Sequence, residues 1–452
     1  MKNCNASRIR PRKLAYGIAV MGLAAAMPAF AETEVEALKR ELAEQKQLIQ
    51  KLIANQDSQT RAIAKMETQS ASGATAKGSS GTAIPGITFY GTVDVNVAST
   101  NSGFGSKTSI NSGGMTASSV GVKGQKDLGH KLRAVGEVEV GFDLSTGGVG
   151  NGAVTPGVNA TSPSSGGYLG NGNQIFSRQA YAGLASDDFG TLTLGRQYTG
   201  SYVAAAILGN AFGPGFFGSG ATFLPVVGGM PTRVNNSVVY RTPNLSGFSG
   251  WLTYTVGSEN NTSLNTAVGS TTTTDQAGSG WDLALFYKTG ALSTALTSWN
   301  VLNTSFVTAG ETALARKSGW QAVVNYDFGF VKLYGTLLSG KISGGNYENI
   351  TRTLSESSGW STSAAIPFGD GTIIASYSKL DDKSSLNKDG NLIGLAYTYQ
   401  LVKGTKVYGS YGKLTNNQKA SYSLANGGDL VGNVARPGFD PTGYMVGVNS
   451  SF

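Results

Sequence analysis

Arg196, Arg233 and Arg241 fall in a stretch, between Asp188 and Glu259, that contains no acidic residue. Guanidinium groups keep their charge in proteins, and uncompensated ones in a narrow aqueous passage raise the local concentration of anions. The chemistry they predict is electrostatic selection of ions. Bond-making chemistry is poorly supplied. His130 is the only histidine and Cys4 the only cysteine, so neither a metal cluster nor a histidine-based triad can be assembled. "GPGFFG" at 213–218 spells a nucleotide-binding pattern but lacks the strand, helix and distal acid that such a site needs. No cofactor, no metal and no enzymatic activity are expected.

Strands must position these arginines. In "GITFYGTVDVNVA" (86–98), Ile87, Phe89, Gly91, Val93, Val95 and Val97 fall on one side and Thr88, Tyr90, Thr92, Asp94 and Asn96 on the other. "KLRAVGEVEVGFDL" repeats the pattern, and alternating runs recur near 117–125, 176–186, 190–198, 234–242, 248–257, 281–288, 320–328, 330–338, 359–367, 371–379, 391–400, 405–412 and 443–452. Each is close to the 9–11 residues with which a tilted strand crosses a bilayer. Tight links such as "DLGHK", "SDDFG", "DFGF" and "FGDG" alternate with long polar ones at 144–174, 258–279 and 414–440. Short turns at one end and long loops at the other mark an outer-membrane barrel.

The polar face collects Asp94, Lys123, Arg133, Glu137, Glu139, Lys332 and Tyr334. A dry core would leave these charges poorly paired, at a cost of several kcal/mol each, whereas a water-filled lumen removes the penalty. The apolar face is therefore expected outside, in hydrocarbon. Tyr90, Trp251, Trp281, Trp320 and Trp360 are candidates for interfacial girdles, those on the polar side lining the lumen instead. Alternation puts Arg233 inward with Asn235, Ser237 and Arg241. Arg196 alternates with Leu192 and Leu194, so its inward placement requires a bulge at Gly195 or a strand end beyond the lipid. Asp94, Glu137 and Glu139, facing the same lumen, oppose the arginines' field.

The first 86 residues read differently. Arg8, Arg10, Arg12 and Lys13, the apolar run 14–27 and Ala29-Phe30-Ala31 predict a secretory signal over 1–31. Losing it lowers the basic count from 35 to 30 against 27 acids, so a net charge of +8 becomes +3. Nucleic acid is then a poor partner. The 64 glycines against 12 prolines suit many twisted strands joined by turns. Over 32–68, Val35, Leu42, Ile49 and Ile63 share one heptad position with Gln56, and Leu38, Leu52 and Met66 share the other with Gln45 and Gln59. A narrow two-position stripe predicts a self-associating coiled coil. Residues 69–86, rich in Ser, Gly, Ala and Thr, predict a flexible linker to a barrel over 87–452.

"FYGTVDV", "VGVKGQKDLG", "SRQAYAGLASDDFGTLTLGRQYTG", "NNSVVYRTPNLSGF" and the terminal "GYMVGVNSSF" resemble the trimeric general diffusion porins of Gram-negative outer membranes, in order along 87–452. The resemblance implies an all-β, sixteen-stranded antiparallel transmembrane barrel, a homotrimer in outer-membrane lipid, and passage of small hydrophilic solutes and ions. It implies a third extracellular loop folded into the pore, matched by the uncharged stretch 199–232 with Pro214, Gly215, Phe216 and Phe217 at its tip. It also implies an inward Arg196 and a terminal Phe452 read by the barrel-insertion machinery. Where general porins often carry carboxylates on that loop, this chain has none. The helical coiled coil departs from the pattern and is expected in the periplasm. Two rival readings are a substrate-selective channel, with Tyr334, Tyr397, Tyr399, Tyr408 and Tyr411 as a ladder, and a tether between outer membrane and cell wall through the coiled coil.

Overall fold

The computed structural model describes residues 86–149, 175–223, 227, 230–257, 278–308, 311–343, 356–424 and 435–452. The predicted signal, the coiled coil with Val35 through Met66, and all but the last residue of the linker lie outside the described residues.

Seventeen strands form one antiparallel sheet: β1 (Ile87–Asn101), β2 (Ser106–Ser112), β3 (Ser119–Gly129), β4 (Leu132–Gly141), β5 (Gln179–Ser186), β6 (Gly190–Tyr198), β7 (Arg233–Arg241), β8 (Phe248–Val256), β9 (Ser279–Thr289), β10 (Leu292–Thr308), β11 (Glu311–Asp327), β12 (Lys332–Ser343), β13 (Glu356–Phe368), β14 (Gly371–Asp382), β15 (Gly390–Val402), β16 (Thr405–Asn416) and β17 (Thr442–Ser451). The second half of β1 pairs with β2 and its first half with β3. Those two are halves of a single stave, interrupted by an excursion at 113–118. The wall therefore has sixteen staves. It closes where β1 pairs with β17 along Thr92–Asn101. There Gly91 and Phe452 exchange both backbone hydrogen bonds at 3.0 Å. A side chain at Gly91 would stand 2.5 Å from the Phe452 ring, so the absence of one seats the terminal phenyl on the outer wall.

Tight turns join β3 to β4, β5 to β6, and so on to β15 and β16, at the end where the chain enters β1 and leaves β17. The other connections leave the strands at the opposite end. One is short: 309 and 310 alone connect β10 and β11, each 17 residues long. In β15 the outward Ile393, Leu395, Tyr397 and Tyr399 are exposed, while the inward Leu392 and Ala396 are buried. The apolar outer face is thus as expected. Two aromatic levels edge it, exemplified by Trp281 and Tyr287 on β9 and by Trp320 and Tyr326 on β11. Six residues separate them, about 20 Å along a strand. Trp281, Trp320 and Trp360 face out. Tyr90 and Trp251 face in.

The interior departs from a uniformly wet lumen. Residues 199–223 turn into the barrel, and their Phe212, Phe216, Phe217 and Phe223 form one buried cluster with the inward Leu338, Ile374, Leu380, Leu392, Leu414 and Met445. The apolar inward positions of β12–β17 stand where the loop, rather than water, covers them, beside polar ones such as Thr336 and Ser363 that bond the loop backbone. Each buried Phe contributes about 1.5–3 kcal/mol to this attachment. Near the tip, Gly218 (φ +98°) lies against Gly394 of β15 so closely that a Cβ on either would come within 2.8 Å of the other's backbone. Gly394→Leu is expected to push the loop tip off the wall without opening the sheet. Single-channel conductance in a planar bilayer should rise and become noisier, with strand content by circular dichroism unchanged.

Candidate pore constriction

The loop is rooted between β6 and β7. Thr199 donates from its amide to the Thr232 carbonyl at 3.2 Å and from its hydroxyl to the Pro231 carbonyl at 2.6 Å. The same hydroxyl accepts from the Tyr202 amide, starting a short helix at Gly200–Val203. From there, polar side chains on successive strands hold the loop backbone. Asp282 on β9 accepts from the amides of Gly200 (2.8 Å) and Ser201 (3.2 Å). Gln321 and Asn325 on β11 donate to the carbonyls of Ser201 and Leu208, and Thr336 on β12 to that of Gly209. Ser363 on β13 accepts from the Ala211 amide, and Ser376 on β14 donates to the Gly218 carbonyl. At the tip, Phe216 donates from its amide to the Gly114 carbonyl at 2.6 Å. Pro214, Gly215, Phe216 and Phe217 thus dock on the 113–118 excursion and the wall beside it. Phe216 meets Tyr408 edge-on at 5.3 Å between ring centres.

The excursion has its own clamp. Asp94 is fully buried and accepts from the amides of Gly114 (2.7 Å), Met115 (2.9 Å) and Thr116 (3.1 Å), from the Tyr408 hydroxyl (2.6 Å) and from the Asn449 amide group (2.8 Å). The expected lumen charge at Asp94 is instead a sealed anchor. It points inward as alternation requires, but the excursion lies over it.

Glu137 and Glu139 also face inward and are also covered. Glu137 accepts from the hydroxyls of Tyr90 (2.5 Å) and Tyr181 (2.7 Å) and from Gln179 (2.7 Å), with the Lys123 ammonium 3.8 Å away. Glu139 pairs with Arg178 at 2.8 Å. Lys123 itself is largely exposed and stands over the Tyr90 ring. Arg133 pairs at the tight-turn end with Asp187 at 2.7 Å, beside the exposed pair of Lys131 and Asp188.

Beside the loop root, the Tyr198 hydroxyl accepts from Arg178 at 2.7 Å and from Arg233 at 2.5 Å. A phenol oxygen has two lone pairs, so two cations converge on one neutral acceptor. The Arg233 guanidinium also lies 4.2 Å from the Tyr198 ring centre, and Tyr198 stacks on Tyr202 at 5.4 Å with planes 5° apart. Burial pushes the Tyr202 hydroxyl up to about 12. Arg196 joins this region. It donates to the Ser177 carbonyl at 2.7 Å and to Asn235 at 2.5 Å. Strict alternation does break there: the β6–β7 register shifts between Gly195 and Gln197, with Gly195 at φ +131° and Asn236 at φ +47°.

Arg241 is not brought to this cluster. Eight residues of β7 place it about 26 Å from Arg233 toward the tight turns, 4.1 Å from the Trp251 ring centre and 6.0 Å from that of Tyr181. The tyrosines do not form a ladder either. Tyr397, Tyr399 and Tyr411 face outward, Tyr408 is tied to Asp94, and Tyr334 sits inward with Lys332 near its ring. Sequence reasoning missed Arg178 and Asp282. The available signal for Asp282 was an acid alone on the inward side of "SGWDLALFYKT"; Arg178 immediately precedes β5, and alternation with the inward Gln179 and Tyr181 would have turned it outward.

A closed antiparallel wall with an apolar outside, an inward-folded loop and arginines at its root defines a membrane-spanning channel. The Gram-negative porin family model matches residues 62–419, and the chain belongs to that family. It is an outer-membrane channel protein and not an enzyme. An outer membrane porin protein of Bordetella pertussis is 29% identical over 323 residues, 65% of this chain and 76% of that one. Outer membrane porin protein 32 of Delftia acidovorans is 27% identical over 382 residues, 81% of this chain and 94% of that one. Among solved structures, the anion-selective porin from Comamonas acidovorans superposes with a TM-score of 0.63 at 23% identity, over 81% of this chain and 99% of that one.

Asp94→Ala removes a charged acceptor from three amides at once. It is expected to lower stability by about 3 kcal/mol, read as a lower unfolding temperature in detergent, while ion selectivity stays at the wild-type value because the carboxylate does not face water.

Proposed function

We propose that this porin passes small hydrophilic solutes and ions by diffusion, with a modest preference for anions. The observation that carries the preference is the excess of guanidiniums at the loop root, where Arg233 meets Arg178 on the Tyr198 hydroxyl and Glu139 pairs with Arg178, beside a loop that contributes no charge. In a narrow passage with low-dielectric walls, fixed cations attract anions without binding them tightly. The anion-selective character of the Comamonas relative supports the reading. Arg196 reinforces the field at the loop root, and Arg241 and Lys123 extend it toward the tight-turn end.

The assembly we propose is a homotrimer with its long loops outside the cell. The middle of the outward face on β1 and β3–β5 is small, with Gly91, Val93, Val122, Gly136 and Ala182, while its larger residues, Ile87, Phe89 and Leu184, lie toward the tight-turn end. Such a surface packs against a second copy more closely than against lipid chains. A trimeric form is named for the related OmpT of Vibrio cholerae. At the other end of the chain, removal of the signal would leave the coiled coil in the periplasm, available to the cell wall, and Phe452 would present the terminal ring to the insertion machinery.

Replacing Arg178 and Arg233 together by Ala is expected to lower the chloride-to-potassium permeability ratio severalfold in a planar bilayer under a salt gradient; Arg241→Ala should change it less. An unchanged ratio in the double variant would remove these arginines from selectivity. Cross-linking followed by denaturing electrophoresis should give a trimer band, weakened by Gly136→Trp. A monomer throughout would contradict the proposed assembly.

A further inference from the structure

Five carboxylates are buried among the described residues: Asp94, Glu137, Glu139, Asp282 and Asp382. Four of them have their partners. Asp94 accepts five hydrogen bonds, and Glu137 accepts three with Lys123 beside it. Glu139 pairs with Arg178, and Asp382 accepts from the Ser384 amide and hydroxyl and from the Lys388 amide. Asp282 is different. Its Oδ1 takes both loop amides, those of Gly200 and Ser201, and its Oδ2 has no hydrogen-bond partner. Among the described residues no basic side chain comes within 4 Å of it. A fully buried carboxylate in that position is costly to keep charged unless a positive charge joins it.

The atoms around it share the deficiency. Ser201 Oγ, Thr253 Oγ1, Thr297 Oγ1 and Gln321 Oε1 are buried without a hydrogen-bond partner, on residues no more than 2% exposed. Sheet register gathers them on one patch of inner wall. Thr253 stands directly opposite Asp282 across β8 and β9, which puts their Cβ atoms about 5 Å apart. Ser201 is tied to Asp282 through its amide at 3.2 Å. Gln321 spends its Nε2 on the Ser201 carbonyl, which leaves only its amide oxygen over, and Thr297 faces Gln321 across β10 and β11. The first turn of the loop closes the patch. At Gly200 a Cβ would come within 3.3 Å of Asp282 Oδ1 and 2.6 Å of the Ala284 Cβ, so only glycine lets the backbone lie this close.

These five orphaned atoms are all oxygens: one of a carboxylate, three of hydroxyls and one of an amide. Water would satisfy the hydroxyls and leave the charge. A proton on Oδ2 would remove the charge and satisfy one neighbour. A hard cation meets both needs, because it is ligated by oxygen and fills the rest of its coordination sphere with water. We infer that the patch between the first turn of the inward loop and β8–β11 binds a small hard cation of the calcium class. Such a site needs neither histidine nor cysteine. With a single carboxylate it belongs at the weak end of calcium affinities, with half-occupancy at about 10⁻⁴–10⁻³ M. The ion fastens the root of the loop to the wall, as Asp94 fastens the excursion at 113–118.

The test uses the full-length protein in detergent, stripped with a chelator and titrated with calcium chloride, with choline chloride at matched ionic strength as the reference. The unfolding temperature of the wild type should rise with calcium, half-maximally at about 10⁻⁴–10⁻³ M, and stay flat with choline. Asp282→Asn keeps an oxygen for the Gly200 and Ser201 amides and should lose the rise. Thr253→Val, a milder change that leaves the carboxylate in place, should raise the half-maximal concentration severalfold. No calcium-dependent rise in the wild type would overturn the inference, and that arm needs no variant to fold. A folded Asp282→Asn protein that keeps the rise would place calcium elsewhere and overturn it as well. A wild type that ignores calcium but gains stability as pH falls would overturn it in favour of a proton on Oδ2.

Discussion

Inside hydrocarbon a strand's amide and carbonyl groups have no water to bond, so every one must find a partner on a neighbouring strand. The pairing of β1 with β17 is where that constraint is met for the whole wall, and the terminal Phe452 lies on this seam. Once the sheet closes, its two faces see different solvents. Leu395 and Trp320 can be exposed because lipid surrounds them, and the inner face is released from the need to be apolar. It can be polar where water meets it, as at Lys123, or apolar where the protein's own loop covers it, as at Leu380 and Leu392.

The same division organises the charges. Carboxylates that point inward are consumed by structure: Asp94 holds the excursion in the second stave, Asp282 holds the start of the inward loop, and Glu137 and Glu139 are enclosed by tyrosines, Gln179, Lys123 and Arg178. The cations near the loop root are arranged differently, with two of them sharing a phenol oxygen. The proposed anion preference rests on this balance of anchored acids and clustered guanidiniums. The loop is latched along β9–β14 by wall side chains that bond its backbone, and its own Thr199, Asn210 and Ser219 complete the fold with internal hydrogen bonds.

Much of the wall was legible because period-two alternation survives in strands such as "NLIGLAYTYQ". β10 was not: inward Trp299, Val301 and Ala295 are apolar, while the outward face mixes Leu296 with Ser298 and Asn300, so the contrast between faces is lost. The split of one stave into β2 and β3 was hidden for a different reason. It depends on an aspartate in β1, and nothing local to 113–118 announces that partner. Of the site, the uncharged loop and its arginines could be read, as could the irregularity at Gly195. The separation of Arg241 from Arg233 could have been computed from strand length alone, but which inward acids were neutralised could not. Partners such as Tyr408 and Asn449 for Asp94 lie more than 300 residues away and meet it only when the barrel closes.

The sign of the field in the lumen is measured most directly by the reversal potential of the wild-type protein in a planar bilayer, across a tenfold potassium chloride gradient. The measurement is made at low salt and repeated with both compartments above about 1 M across a smaller gradient, where the screening length falls to about 3 Å, and the two are compared as permeability ratios. The account predicts an anion-selective potential at low salt and a permeability ratio that falls toward one as salt rises. A cation-selective potential at low salt would contradict it and return control of the passage to the inward carboxylates.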